Sequence, residues 1–290
     1  MDELKLKLVT NDYGCGTSSS ILDYNIEDVV IVSETNYSHI FDVEDDLLFI
    51  GHDFLFYLWD NEEKIKRWHL RKGKWEHWVW AFERIDAIVP AWQQKSHYSL
   101  AIAQTFCNRI LACDEDDCDK YGFDWLPQWA SRKFFDIKNT TAHNSKIIFS
   151  GQAGKPEYKL RTDLLNNIAS DQDIRDDLVI SNLTRNLDWD SYVKNLINYS
   201  RVLNPVGILK GFNTRSYEVI YSGGLLLQQT IGTYKRHEKI FEEIENVFFF
   251  ENFLQLKDKI VSSREFKKKD GLLLGHSLFD RMKLIGVEIK

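Results

Sequence analysis

A chain of 290 residues, 43% of them hydrophobic, can bury one large core or two of ordinary size. Its 37 Lys and Arg against 44 Asp and Glu leave a net charge of −7, which argues against a protein that lives by wrapping phosphate backbones, because non-specific nucleic-acid affinity comes from Lys and Arg on phosphates. Cys15, Cys107, Cys113 and Cys118 lack the paired C-x-x-C of a structural zinc site and are too few for a disulfide framework; no run approaches the roughly 18 apolar residues of a membrane span and no basic end with an apolar stretch opens the chain, so reduced thiols and a cytoplasmic place are expected.

Leu4 to Thr10 alternates apolar and charged residues, then runs into a polar, glycine-bearing turn from Asn11 through Gly14 and Gly16 to Ser18. A helix is expected from Ser20 and Ile21, which makes this the strand, loop and helix of a Rossmann-like half. Asp28 to Ser33 and Asp46 to Gly51 are short apolar runs with no room for a second helix face, and they read as buried parallel strands. Ligands of open α/β sheets collect at the carboxyl ends of strands, which puts Asp12, His52 and Asp53 on the functional edge. Polar residues at strand ends also serve as caps or loop partners, and both roles stay open for these three.

From Phe54 to Trp92 the chain is aromatic, with Trp59, Trp68, Trp75, Trp78, Trp80 and Trp92 set among charges. Trp75, Trp78 and Phe82 recur at helical spacing, so a helix packing that stripe on the core is predicted, whereas an exposed tryptophan would stack on a sugar or a base. Ala87 to Ala91, a helix over about Ser96 to Phe106 and a strand from Arg109 to Cys113 continue the alternation. The strand ends in Asp114-Glu115-Asp116-Asp117. Hard oxygen ligands in a D-x-D at a strand end suit Mg or Mn on a diphosphate, and an acidic strand end equally suits a helix N-cap.

The polar stretch from Asn139 to Ser145 is the expected linker, dividing the chain into domains 1–142 and 143–290. The second half opens with a strand from Lys146 to Ser150, a turn over Gly151-Gln152-Ala153-Gly154 and a helix over about Tyr158 to Ala169. A later helix starts in Asp188-Trp189-Asp190-Ser191-Tyr192, with Asp190 or Ser191 as its N-cap. It leads into a strand from Arg201 to Asn204 and Pro205, a loop holding Gly207 and Gly211, a helix over about Thr214 to Ser222 and a buried strand from Leu225 to Leu227. A polar loop from Thr233 to Glu238, a strand from Asn246 to Phe250 and a helix from Phe253 to Val261 follow, and the basic run Arg264 to Lys269 reads as solvated surface.

A strand ending in a glycine-bearing loop that opens a helix aims unpaired N–H groups and the positive end of the helix dipole at one point, where an anion belongs. Arg215, in the first helical turn, would add a fixed charge there. Glu218, one turn on and on the same face, would accept hydrogen bonds from sugar hydroxyls. Together they would hold a diphosphate and a ribose; the bland alternative is an exposed i,i+3 ion pair with the glycines merely turning the chain.

Lys210-Gly211-Phe212-Asn213, followed by Arg215, Tyr217-Glu218 and Gly223-Gly224, resembles the donor-site segment of GT-B glycosyltransferases of the group 1 kind, nearest those that look like the spore maturation protein CgeB. Tyr121 to Trp129, Asn246 to Leu254 and His276 to Met282 resemble further segments of the same proteins. The resemblance implies an α/β GT-B fold: two Rossmann-like domains facing across a cleft, with a C-terminal helix crossing back to the first. It implies an acceptor domain first and a nucleotide-sugar donor domain second. The donor site would draw on Gly151, Gln152, Arg161, Asn204, Gly207, Lys210, Asn213, Thr214, Arg215 and Glu218. Gln152 stands where retaining families carry an Arg on the diphosphate, Arg161 matches their Lys or is an exposed helix residue, and Lys155 and Lys159 are substitutes. Lys210 replaces the first Glu of an E-G-F-G-x4-E pattern, the one that touches the transferred sugar.

The expected function is therefore a hexosyl- or pentosyltransferase moving a sugar from a nucleotide-diphosphate sugar, UDP-sugar foremost, to an acceptor hydroxyl. The acceptor would be a glycan, a surface polymer or, as the sole nucleic-acid case, a modified nucleobase. No metal and no cofactor beyond the co-substrate are expected, and Asp12, His52 or Asp53 would take the acceptor's proton. The alternatives are a catalytically silent nucleotide-sugar-binding module and a GT-A-like, metal-dependent transferase using Asp114 and Asp116. A tandem Rossmann dehydrogenase ranks lower, since Gly14-x-Gly16 stops short of G-x-G-x-x-G.

Overall fold

A computed structural model describes residues 4–11, 17–26, 29–32, 40, 43–51, 55, 66, 74–82, 85–86, 90–135, 144–181, 188–207, 212–231, 235–269 and 275–288. The chain divides into two compact units, residues 1–128 with 278–290, and residues 129–277.

In the first unit, β1 (Leu4–Lys5) precedes β2 (Lys7–Asn11), α1 (Thr17–Leu22), β3 (Val29–Val32), β4 (Leu47–Ile50), β5 (His77–Ala81), α2 (Pro90–Phe106), β6 (Arg109–Ala112), α3 (Glu115–Tyr121) and β7 (Asp124–Trp125). Six strands form one parallel sheet in the order β3-β2-β4-β5-β6-β7. The order reverses between β2 and β4, so the crevice that ligands use in such sheets lies past Asn11 and Ile50. Asp12, His52 and Asp53 follow those two strand ends directly and lie outside the described residues.

The tryptophan stretch is a strand and not the helix that its spacing predicts. All five residues of β5 are buried, Trp80 at 0% exposure, because a central parallel strand is covered on both faces and shows no polar side. Trp80 donates its indole N–H to Leu126 O at 2.9 Å and Trp78 lies under the Arg109 guanidinium at 4.6 Å, which commits both rings to packing. Trp59 and Trp68, and the side chain of Trp92, lie outside the described residues. The D-x-D is a cap: Asp114 accepts from the N–H groups of Asp116 and Asp117, and Asp117 accepts from Ile85 N–H at 2.7 Å. Among the described residues no group of three His, Cys, Asp or Glu is placed to hold a metal, and no helix is long and apolar enough to cross a membrane. Cys107, Cys113 and Cys118 are buried thiols outside any disulfide.

The second unit carries β8 (Asn144–Ser150), α4 (Lys159–Ser170), β9 (Leu178–Ser181), α5 (Trp189–Asn198), β10 (Tyr199–Asn204), α6 (Thr214–Tyr221), β11 (Leu225–Gln229), α7 (Lys235–Phe241), β12 (Val247–Phe250) and α8 (Phe253–Ser262). Its sheet is parallel, in the order β12-β11-β10-β8-β9. Two apolar layers flank it: one joins Ile148, Val202 and Leu226 to Leu196, Tyr217 and Ile220, the other joins Phe149, Leu203 and Leu227 to Leu165, Ile168 and Leu256. The edge strand β9 was not expected, and the loop expected from Thr233 is helical from Lys235. Asp188, not Asp190 or Ser191, caps α5 by accepting from Ser191 N–H at 2.9 Å. Both domain sheets are Rossmann-like, as the alternation implies. Against the expected 142/143 boundary, Ala130 and Phe134 pack into the second unit's core. After Ser277, α9 (Leu278–Leu284) and β13 (Val287–Glu288) belong to the first unit, where β13 pairs in parallel with β1 and Arg281 Nε donates to Gln128 O at 3.0 Å. The expected return of the terminal helix to the first domain is thus present.

The basic run after α8 is a strap rather than free surface. Arg264 holds Asp177 at 2.8 Å, Lys268 Nζ donates to Ile197 O at 2.6 Å, and Lys269 pairs with Glu245 while its N–H donates to Gly223 O at 3.0 Å. Beneath it, Arg201 on β10 is 1% exposed and is matched by Asp177 at 3.0 Å and by the carbonyls of Ser145 and Ile260. Burial depresses the Lys268 ammonium from 10.5 to about 8. The unfolded chain then binds the extra proton between those values, so stability rises with pH across that window. Denaturant titrations at pH 8 and pH 10 should show the wild type gaining stability relative to Lys268→Met; parallel pH profiles would show the depression to be absent.

Candidate functional site

The order of the second sheet reverses between β8 and β10, and the loops leaving these two strands meet at their carboxyl ends. Each loop opens a helix that carries one arginine into the meeting point: Arg161 from α4 and Arg215 from α6. The two crossovers interlock. A Cβ on Gly151, after β8, would stand 3.3 Å from Arg215 Nη2, and a Cβ on Gly207, after β10, would stand 2.3 Å from Arg161 Nη2. Glycine at each place lets one crossover's backbone accept the other's guanidinium.

Arg161 is not the exposed helix residue of the bland alternative: it is 8% exposed. Its Nη1 donates to Gln152 O at 2.7 Å and its Nη2 to Pro205 O at 3.4 Å, while its Nε is buried without an acceptor. The rings of Phe149 and Tyr158 bracket it at 5.5 and 5.1 Å. Burial first, and the neighbouring Arg215 charge second, pull its pKa down from 12.5 to about 10, so it remains charged at neutral pH. Arg215 donates from Nη1 to Asn204 Oδ1 at 3.1 Å and from Nε to Tyr192 Oη at 3.4 Å, with the Tyr192 ring 5.8 Å from its Cζ. Every partner of both arginines among the described residues is neutral. Backbone carbonyls fix Arg161 and side chains fix Arg215, and neither guanidinium is in a direct ion pair among the described residues.

The floor is a polar network. Asn204, 1% exposed at the end of β10, donates to Gln228 at 2.7 Å and to Ser216 and Asn213 at 3.2 Å each. Asn213 is the N-cap residue of α6, yet its side chain caps nothing, being turned to Asn204. Among the described residues the opening N–H groups of α6 at Thr214 and Arg215 have no side-chain acceptor. Phe212 anchors the approach to the helix by stacking flat on His237 at 4.6 Å. Gln152 faces the other side, its Oε1 accepting from Tyr158 Oη at 2.6 Å.

Gly151, Gln152, Arg161, Asn204, Gly207, Asn213, Thr214 and Arg215 therefore gather at one sheet edge, and Lys210 lies outside the described residues. Lys155 and Lys159 are exposed, and Lys159 is paired with Asp163. Glu218 departs from its expected setting. It is 0% exposed, makes no ion pair with Arg215, and accepts from Tyr192 Oη at 2.7 Å, because its helix turn faces the core beneath the site. Tyr192 was not singled out from the sequence; its helical spacing from Trp189, on which it stacks at 5.3 Å, was the available signal.

Gly207→Ala tests the interlock. Its Cβ would displace the Arg161 guanidinium, so binding of an anion at this edge should weaken about fivefold with little loss of fold, as read by calorimetry. Unchanged affinity would mean that Arg161 does not act there.

No family model matches the chain, and no curated protein matches it. Among solved structures it is similar to a GtfA/B complex, at 9% identity and a TM-score of 0.45 over 86% of this chain, and to the spinosyn forosaminyltransferase SpnP, at 8% identity and 0.38 over 98%. The chain spans 55% of the length of the first and 100% of the second.

Proposed function

We propose that the chain is a glycosyltransferase that uses a nucleotide-diphosphate sugar, a UDP-sugar foremost, and seats the diphosphate between Arg161 and Arg215. The observation that carries this is the pair of guanidiniums held by carbonyls, an amide, a hydroxyl and aromatic rings, with no direct carboxylate partner among the described residues. Two such charges beside an uncapped helix start favour a ligand of at least two negative charges over a single carboxylate. The resemblance of the segment from Lys210 to Gly224 supplies the reaction class.

In that reaction the bond between the sugar's anomeric carbon and the terminal phosphate oxygen breaks, the oxygen takes the electron pair, and the acceptor oxygen bonds the anomeric carbon as it loses its proton. Arg161, Arg215 and the N–H groups of Thr214 and Arg215 stabilise the charge gathering on the leaving diphosphate, the largest contribution a preorganised site makes. That stabilisation asks for no metal ion. The proton goes to Asp12, His52 or Asp53, which follow the two strands at the first sheet's reversal. The acceptor is a hydroxyl of a glycan, a surface polymer or a modified base.

Incubation with a panel of UDP-, GDP-, dTDP- and ADP-sugars, with and without EDTA, tests the proposal through nucleoside diphosphate release. Release that chelation leaves unchanged supports it. Release that needs metal overturns the metal-free form, binding without release makes the chain a silent nucleotide-sugar module, and absence of binding removes the reading.

A further inference from the structure

We infer that Tyr192 is a positioning residue for this anion site, its hydroxyl linking Arg215 to a buried carboxylate that makes no direct ion pair with the guanidinium. The inference rests on the diphosphate reading above.

A tyrosine hydroxyl has one proton to give. Here Glu218 Oε2 takes it at 2.7 Å, and since Glu218 is 0% exposed, water does not compete for the bond. The hydroxyl's lone pairs are therefore left for Arg215 Nε, 3.4 Å away. Burial, and then the Glu218 charge, push the Tyr192 hydroxyl well above its usual range, so it stays a donor to Glu218 at every ordinary pH. The ring lies 5.8 Å from Arg215 Cζ and stacks on Trp189 at 5.3 Å and 20°, which holds its orientation.

The consequence falls on the far edge of Arg215. With Nε on Tyr192 and Nη1 on Asn204, Nη2 lies against Gly151 with no acceptor among the described residues. Had Glu218 met Arg215 directly, as i,i+3 neighbours can, the carboxylate would occupy N–H groups that the ligand needs. A hydroxyl placed between them transmits direction and leaves the outer edge of the guanidinium open. Tyr192 and Glu218 stand 26 residues apart, on separate helices, so the arrangement ties α5 to α6 at the point of binding.

The test is a double-mutant cycle read by calorimetry, with inorganic pyrophosphate and with the tightest-binding of UDP, GDP, dTDP and ADP as probes. Tyr192→Phe keeps the ring and removes the hydroxyl, and should weaken both probes about tenfold per folded molecule, with a lower melting temperature because the buried Glu218 carboxylate loses its donor. In an Arg215→Ala background the same change should alter affinity less than about twofold, since Tyr192 acts through the arginine. Glu218→Gln keeps an acceptor for the hydroxyl and should cost less than about threefold on both probes. Equal losses from Tyr192→Phe with and without Arg215, or no loss in either, overturn the inference. So does a Glu218→Gln loss confined to the nucleoside probe, which would mean that the carboxylate leaves Tyr192 for the ribose. A wild type that binds neither pyrophosphate nor any nucleoside diphosphate removes the diphosphate reading itself, an outcome distinct from these.

Discussion

Arg215→Ala should weaken nucleoside diphosphate binding by about 10- to 150-fold, the loss of one charged hydrogen-bonding group worth about 1.5 to 3 kcal/mol. Arg161→Met should weaken it by a similar factor and differ in one respect. Arg161 is nine-tenths buried, its pKa drawn down to about 10 by desolvation and by a second cation, with an orphaned Nε. The empty protein bears the cost of that charge, while the carbonyl bonds and the two bracketing rings offset part of it. Removing the charge and keeping an apolar stem should therefore leave the unliganded protein within about 1 kcal/mol of wild type, or more stable. Binding would be lost with the fold retained. A fall in unfolding free energy beyond about 2 kcal/mol for Arg161→Met would recast the residue as a structural pin, and unimpaired binding by Arg215→Ala would dissolve the site.

Gly223→Ala should cost about 3 kcal/mol or more of stability in the second unit. Gly223 closes α6 at φ +73°, a left-handed backbone that side chains other than glycine resist, and an added Cβ would stand 1.8 Å from Lys269 O. The obstacle is backbone, itself bonded to Gly223 O through Lys269 N–H at 3.0 Å, so it cannot yield as a flexible side chain would. Thermal unfolding separates this from function: a lower melting temperature with unaltered affinity per folded molecule is expected. A variant as stable as wild type would mean that the strap from Arg264 to Lys269 does not cross the helix end as described.

These two sites also mark what was legible in the residues alone. The parallel strands announced themselves as short apolar runs, and the strand-to-helix turn before Thr214 announced itself through its glycines, because both signals are local. Gly223 was visible as a turn residue, but its reason was not, since Lys269 is brought over it only by the tertiary fold. The same holds for Arg161, whose burial depends on Gly207 from a different crossover. Glu218 was misread because helical spacing puts it on the face of Arg215 without saying that this turn looks inward, onto Tyr192. The strand at Trp78 and Trp80 was hidden by its own burial: with both faces covered, the period-2 signal vanishes and a chance i,i+3 spacing takes its place.

The pairing of Leu4 with Val287 has a bearing on how the molecule is made. Strand β1 is made before every other described element and finds its partner only after β13 has been synthesised. The second unit, continuous from Trp129 to Ser277, is complete before then. Chains ended at Ser277 and released from the ribosome should thus hold a protease-resistant second unit and a first unit still open to cleavage, its last closure delayed by the long loop it must span.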